Sequence, residues 1–413
     1  MPYKLLLTIF IIVSPIYAKL LHRELVSAPE QQVEVCFTQN NTSQDLVDAL
    51  LPTVKFNLNL SGLIRVVNRA ETSDCRNTIS LLENTSIIGT HSIEVQFHGP
   101  EIGKLPTYKM PLPNLSDKLA VNRYANKITR AIHEYITHHR GWHDRKIAFV
   151  QTVSIDGKNH YSLKISNIDG SEDKTLFTSN YPLLNPVFSP NSEKIAITEL
   201  TEQGTNVFIR SKNSDWEKIS EQADIVLASS WSPNSRFLLM VNYLVSNPAI
   251  ISYDSLSGKT QQVMPGWSLD CDPIWPQDDY LYLTSSRSGS PQIYRYQLGK
   301  KLLERITYQG EGNEAPSISR DGSVMTYLAR VADEYQLMVH HFNQGKKSQK
   351  ICGSLFLQDP RISEDGSWIL FSERQGRRNV IGLIDTAGQT HIRLIAQDGQ
   401  FNFPTWVPES WPT

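Results

Sequence analysis

The sequence predicts a small N-terminal α/β domain followed by a six-bladed β-propeller. Three observations carry this: a unit of 43 or 44 residues recurs through the C-terminal part of the chain, each unit is a run of short alternating strands, and the two ends of the repeat region are complementary fragments of one unit.

The unit shows itself in Asn185-Pro-Val-Phe-Ser-Pro190, Ala228-Ser-Ser-Trp-Ser-Pro233, Asp272-Pro-Ile-Trp-Pro276, Ala315-Pro-Ser-Ile-Ser319, Asp359-Pro-Arg-Ile-Ser363 and Phe403-Pro-Thr-Trp-Val-Pro408. Its apolar anchors are Phe188, Trp231, Trp275, Ile318, Ile362 and Trp406, at steps of 43, 44, 43, 44 and 44 residues. A proline can open the inner strand where no N–H is required, the anchor points into the blade interface, and a turn such as Pro190-Asn-Ser or Arg320-Asp-Gly starts the return. Second strands follow at Lys194–Thr198, Phe237–Val241, Tyr280–Thr284 and Trp368–Ser372. Third strands follow at Gln292–Tyr296 and Asn379–Ile384, closing at glycines such as Gly258, Gly299, Gly345 or Gly388, and short fourth strands are expected at Arg305–Thr307 and Ile392–Leu394.

Residues 146–179 read as strands two, three and four with no anchor before them, while Trp406 is an anchor with no strands after it. Joined, they make one blade. The propeller is therefore assigned to residues 144–413 and is closed by residues 401–413 pairing with 146–179, which leaves few strand edges exposed.

Ahead of the repeats, Lys4, the apolar run Leu5–Val13, Pro15 and Ala18 form a secretory leader, residues 1–18, with cleavage expected after Ala18. The run is too short to span a bilayer. Residues 19–143 form the N-terminal domain: Val33–Phe37 and Ile93–Phe97 alternate as strands, and Gln44–Leu51 reads as a short helix. Leu119, Tyr124, Ile128, Ile132 and Tyr135 mark a helix over 117–139 with Ser116 or Asp117 as its cap. Gly141–Arg145 runs straight into the first propeller strand, predicting a fixed joint.

Export places the four cysteines where disulfides are permitted. A Cys36–Cys75 bond is one reading and four buried thiols the other; with no Cys-x-x-Cys, neither a thiol redox enzyme nor a zinc knuckle has support. Forty Lys and Arg against 42 Asp and Glu, with no long run of one sign, argue against a nucleic-acid partner.

Catalytic motifs are missing. His133-Glu-Tyr-Ile-Thr-His138 has one residue too many for a zinc-protease helix: the five-residue step sets the imidazoles about 140° apart, so a solvated helix face is expected. Gly266-Trp-Ser-Leu-Asp270 fails as a nucleophile elbow, and the Asp-Gly pairs fall at hairpin turns. Trp231, Trp275 and Trp406 suggest sugar stacking, but as anchors they read better as core packing. No cofactor is implied.

The string Tyr282-Leu-Thr-Ser-Ser-Arg-Ser-Gly-Ser-Pro-Gln-Ile-Tyr294, with Glu304-Arg-Ile-Thr-Tyr-Gln-Gly310 and Asn313-Glu-Ala-Pro316, resembles the most distinctive stretch of the TolB family, the periplasmic propellers of the Tol–Pal system. The order of leader, α/β domain, helix and six blades agrees as well. The resemblance implies a monomeric, exported, non-enzymatic adaptor in the periplasm. Its propeller would bind the peptidoglycan-associated lipoprotein Pal and its N-terminal region would couple to inner-membrane Tol proteins, supporting envelope integrity and cell division, with membranes met only through partners. Three departures stand out: Ile225-Val-Leu-Ala-Ser229 replaces the family's His-Asn-Gly-Ala-Pro, Ser286 replaces an aspartate, and Lys19–Leu25 is less hydrophobic than the usual mature start. An exported enzyme or a small-ligand sensor using the central channel is the rival expectation.

In an up-and-down blade the fourth-to-first and second-to-third loops share one face. That face gathers Thr284, Ser285, Arg287, Asn313, Glu314 and Ala315 with Asp270, Asp272, Asp359, Asn402 and Asn185 around the channel mouth, the expected partner-binding residues. The competing reading is that Asn313 and the Asp-Pro pairs only satisfy backbone groups at strand starts.

Overall fold

The computed structural model describes residues 21–411 apart from 30–31, 40–41, 68–76, 86–90, 99–107, 139, 221–224, 244–247, 265, 267, 346 and 397. The expected leader with its cut at Ala18, and Cys75, lie outside the described residues. Cys36 is disulfide-bonded, whereas Cys271 and Cys352 are free thiols.

The N-terminal elements are β1 (Leu21–Ser27), β2 (Val33–Gln39), α1 (Gln44–Leu60), β3 (Ile64–Val66), β4 (Thr78–Thr85), β5 (His91–His98), β6 (Tyr108–Pro111) and α2 (Lys118–Thr137). Five of the strands form a sheet in the order β3-β2-β4-β5-β6. β2 runs parallel to β3 and β4, and β5 and β6 add antiparallel. Asp117 caps α2 by accepting from the N–H groups of Leu119 and Ala120. The helix expected to stop at Leu51 runs on through Pro52 to Leu60, because Val54 and Leu58 continue the buried stripe of Leu46, Val47, Leu50 and Leu51. Core burial outweighs the proline's missing N–H.

Six four-stranded blades follow the expected plan. Blade one takes its inner strand, Gln400–Val407, from the C-terminal end and its others, Lys146–Ile155, Lys158–Asn167 and Lys174–Ser179, from the start of the repeats. The pairing Gln400↔Thr152 through Val407↔Lys146 closes the ring. Inner strands of blades two to six are Leu183–Phe188, Val226–Trp231, Asp270–Gln277, Gly312–Ile318 and Leu357–Ile362. The fourth strand of blade four is Leu302–Arg305, three residues ahead of the expected one.

Two features depart from expectation. β1, grouped by sequence with the N-terminal domain, pairs antiparallel with His391–Ala396 and becomes a fifth strand at the outer edge of blade six. Arg23 and Leu25 explain the choice: Leu25 packs into the cluster of Leu60, Trp142, Ile392 and Leu394, and Arg23 donates to Asn57 Oδ1 at 2.9 Å. The prolines, expected to open inner strands, sit inside them. In five blades the residue before the proline is left-handed, with φ of 49° at Asn185, 50° at Asp272, 54° at Ala315, 53° at Asp359 and 50° at Phe403. Each marks a break in the ladder, a β-bulge where a proline costs no pairing hydrogen bond.

The joint is packed throughout. Trp142 is fully buried, and Trp368 from blade six donates its indole N–H to the Arg140 carbonyl at 2.9 Å. Thr390 donates to the Ser61 carbonyl at 2.8 Å, and a chain of side chains runs from Arg23 through Asn57 and Asn126 to Asp169 of blade one. Arg145 pairs with Asp365, and Arg140 with Glu409. His133, expected on a solvated face, is completely buried here: the propeller covers the side of α2 that sequence periodicity leaves polar.

Candidate partner-binding face

Strand direction gives the ring two unlike faces. The first-to-second turns lie on the side occupied by the α/β domain, where a cavity of about 1000 Å³ opens at the channel mouth. Phe188, Trp275, Ile318 and Trp406 line it half-buried, so these anchors are not purely core residues; only Trp231 and Ile362 are buried. Their indoles are nonetheless used for packing: Trp231 donates to the Val187 carbonyl at 3.1 Å and Trp406 to the Arg361 carbonyl at 3.0 Å, each tying a blade to its neighbour.

The opposite, free face carries the distinctive string. Its hairpin joins Tyr280–Ser285 to Gln292–Gln297 in blade four. Arg287 doubles back to place Nη2 3.0 and 3.1 Å from the two oxygens of Asp270, which is fully buried, while its Nε donates to Ser285 Oγ at 2.8 Å. Its guanidinium also lies 5.4 Å over the Tyr294 ring. Gln292 Oε1 accepts from Thr307 Oγ1 at 2.9 Å and Asn313 Nδ2 at 2.8 Å, and Asn313 N donates to the Pro291 carbonyl. The string thus locks a second-to-third loop of one blade to the approach of the next.

This sorts the eleven expected residues. Asp270, Thr284, Ser285 and Asn313 are buried and hold others in place. Thr284 Oγ1 donates to Asp272 Oδ2 at 3.0 Å and accepts from the N–H of Ala315 at 3.1 Å. Asp272 and Arg287 are exposed, and Asn185, Glu314, Ala315, Asp359 and Asn402 are half-buried. Asn185, Asp272, Ala315 and Asp359 are the bulge residues themselves, at equivalent places around the mouth; blade three has buried Ala228 there, still paired with Met240, and its break falls one place on at Ser229, whose Oγ donates to the Pro273 carbonyl at 2.7 Å. Asn402 accepts from Asn379 Nδ2 at 2.7 Å.

The mouth is acidic. Burial, with the charge of Asp272 within electrostatic reach, pushes the Asp359 carboxyl up to about 6 despite Arg361 nearby. Burial and Asp272 also raise Glu314. An Asp whose carboxyl rises on folding opposes folding above its own value, and that opposition fades as pH falls through it. Asp359→Asn is therefore expected to stabilise the chain by roughly 1–3 kcal/mol at pH 7.5, a gain that shrinks as pH falls from about 6 toward the ordinary Asp value and is nearly gone at pH 4. Denaturant titrations at the two pH values check this; equal gains at both would show the carboxylate is not strained.

A further signal was missed in the sequence. Among described propeller residues, the exposed large apolar side chains on this face are Tyr181, Ile225, Leu269, Tyr308 and Leu355 at fourth-to-first connections and Ile155, Leu200 and Val331 at second-to-third hairpins; only Leu256 and Leu302 lie on the other side. Strand arithmetic alone would have found them. Concentration on one face is what an interaction surface requires, whereas scattered exposure means little.

Among described residues, no group of His, Cys, Asp and Glu is arranged to hold a metal, and no helix is long and apolar enough to cross a membrane. A family model described as the TolB beta propeller domain matches residues 133–410. The chain belongs to the TolB propeller family.

Relatives of the TolB family agree. The Tol-Pal system protein TolB of Ruthia magnifica subsp. Calyptogena magnifica is 26% identical over 291 residues, covering 69% of this chain and 68% of that protein. That of Xanthomonas campestris pv. campestris (strain B100) is 28% identical over 293 residues, covering 70% and 66%. The matched stretch thus spans about two thirds of these relatives. The crystal structure of TolB from Acinetobacter baumannii has the same fold, with a TM-score of 0.82 at 22% identity over 94% of this chain and 100% of that one.

Proposed function

We propose that this chain is a periplasmic, non-enzymatic adaptor of a Tol–Pal system, receiving a Pal-type peptidoglycan-associated lipoprotein on the free face of the propeller and linking it through the N-terminal region to inner-membrane Tol proteins. Membership of the TolB family supports the system. The observation that carries the docking face is the clustering there of exposed apolar loops around an acidic mouth. Of the expected residues, Asp272, Glu314, Ala315, Asp359, Asn402 and Asn185 form the contact rim, whereas Arg287, Thr284, Ser285, Asp270 and Asn313 hold its shape.

The test compares matched surface changes. Leu269→Glu and Leu355→Glu on the free face are expected to weaken binding of the cognate Pal-type lipoprotein by roughly 1–4 kcal/mol each. Leu256→Glu and Leu302→Glu, equally exposed on the other side, should leave it unchanged, and all four should melt like the parent. Calorimetry on purified proteins reads the outcome. Equal losses on both faces, or losses on the domain side alone, would overturn the assignment. The envelope role has its own check: a pull-down from envelope extract should recover the lipoprotein and a Tol protein.

A further inference from the structure

We propose that the joint between the α/β domain and the propeller is an acid-sensitive clasp, closed while the imidazole of His143, packed beside His133, is neutral and loosened when it takes up a proton. The two rings lie 5.3 Å apart at the junction and are 1% and 0% exposed. His143 stacks on Trp142 at 4.2 Å, and His133 lies 6.2 Å from Trp368 of blade six, so the pair sits between α2, the connector and the propeller. Gly141 is the only residue type that fits beside it: a Cβ there would stand 2.8 Å from His143 Nδ1 and 3.3 Å from His133 Nδ1.

The geometry makes a proton unwelcome. His143 Nε2 lies 3.3 Å from the Asn57 carbonyl of α1 and acts as the donor, leaving the lone pair on Nδ1, which is buried and has no hydrogen-bond partner. A proton placed there becomes a charged donor with no acceptor. The charges that face it are cationic: the Arg23 guanidinium from β1, held over the Phe56 and Trp142 rings at 5.0 and 6.0 Å, and His133 from α2 once charged. Nearby carboxylates are engaged elsewhere. Asp144, next in the connector, pairs with Arg130 of α2 at 3.2 Å, and Asp169 of blade one takes Asn126 and Ser171 while offsetting Arg23.

Burial first, then His133 and Arg23, holds His143 well below its ordinary value. A base depressed in this way binds fewer protons in the closed joint than in the open one. Closure is therefore fully favoured above about pH 6.5 and is lost as pH falls below it, the opening equilibrium rising about tenfold per pH unit for one such histidine. The periplasmic space proposed for this chain would make the joint a reporter of acid surroundings, independent of which partner occupies the free face.

The experiment uses the full mature chain. Small-angle scattering and hydrogen exchange at the connector and β1, corrected for the intrinsic pH dependence of exchange, are followed from pH 7.5 to 5.0. Expansion and roughly tenfold loss of protection at pH 5.5 are expected in the parent, with little change in His143→Gln, whose amide keeps the donor to Asn57 and cannot be charged. A parent whose profile matches His143→Gln overturns the proposal. Should that variant fail to fold, histidine-labelled parent protein decides by magnetic resonance. A His143 signal titrating below the surface histidines, with its midpoint at the expansion, supports the clasp; one titrating among them with no expansion overturns it.

Discussion

A chain ending at Gln400 is expected to lose its cooperative melt and to aggregate, an outcome far beyond what removing thirteen C-terminal residues normally brings. The missing segment is the inner strand of blade one, whose loss bares the edge of Lys146–Ile155 and opens the ring between blades one and six. Its side chains are core. Phe401 is fully buried 4.5 Å from the Phe149 ring, and Trp411 is buried edge-on to Phe188 at 4.9 Å. Phe401→Ala alone should cost about 3–5 kcal/mol. Trp406→Ala should cost less, about 1–3 kcal/mol, because that ring is half-buried and its other contacts are the Arg361 carbonyl and the Arg145 guanidinium. Against a total of about 5–15 kcal/mol, losing the whole strand exhausts the fold. A truncated chain with an unchanged melting temperature would refute closure by the two ends.

Trp368→Ala is the second large effect, about 3–5 kcal/mol. The ring is 1% exposed, lies 6.4 Å edge-on from Trp142, and donates to the Arg140 carbonyl at 2.9 Å, so one side chain joins blade six to the connector. Trp368→Phe keeps most of the packing and loses the hydrogen bond, with an expected cost of about 1–2 kcal/mol. Urea unfolding of both variants separates the contributions. If Trp368→Ala cost under about 1 kcal/mol, the joint would not be part of the cooperative unit.

The ring was readable because its period is local. Anchors spaced by 43 and 44 residues report six blades, and an anchor without strands beside strands without an anchor reports closure. What escaped depends on contacts distant in the chain. Nothing in Leu21–Ser27 names His391–Ala396 as its partner 370 positions on, since any alternating strand can complete an edge. His133 sits on the polar side of a helix by its own periodicity and is buried by a separate domain. The signature string was legible as a family mark, but only the structure shows why Arg287 belongs to it: buried Asp270, on the inner strand ahead of the string, holds its Nη2. Burial likewise divides the site residues, because a loop sequence does not say which of its polar groups face inward.

The bulges at the channel mouth have a consequence for divergence. Asn185, Asp272, Ala315, Asp359 and Phe403 span an amide, two carboxylates, a methyl and an aromatic ring, yet their φ values agree within 5° because the following proline and the interrupted ladder set the backbone. Shape and chemistry are thereby uncoupled. A single codon change at any of these positions exchanges the group presented at a fixed point in space, with no loop to rebuild. The mouth is in effect a ring of sockets, and a partner that changes one contact can be followed by one matching replacement, so the pair can drift together while the scaffold stands still.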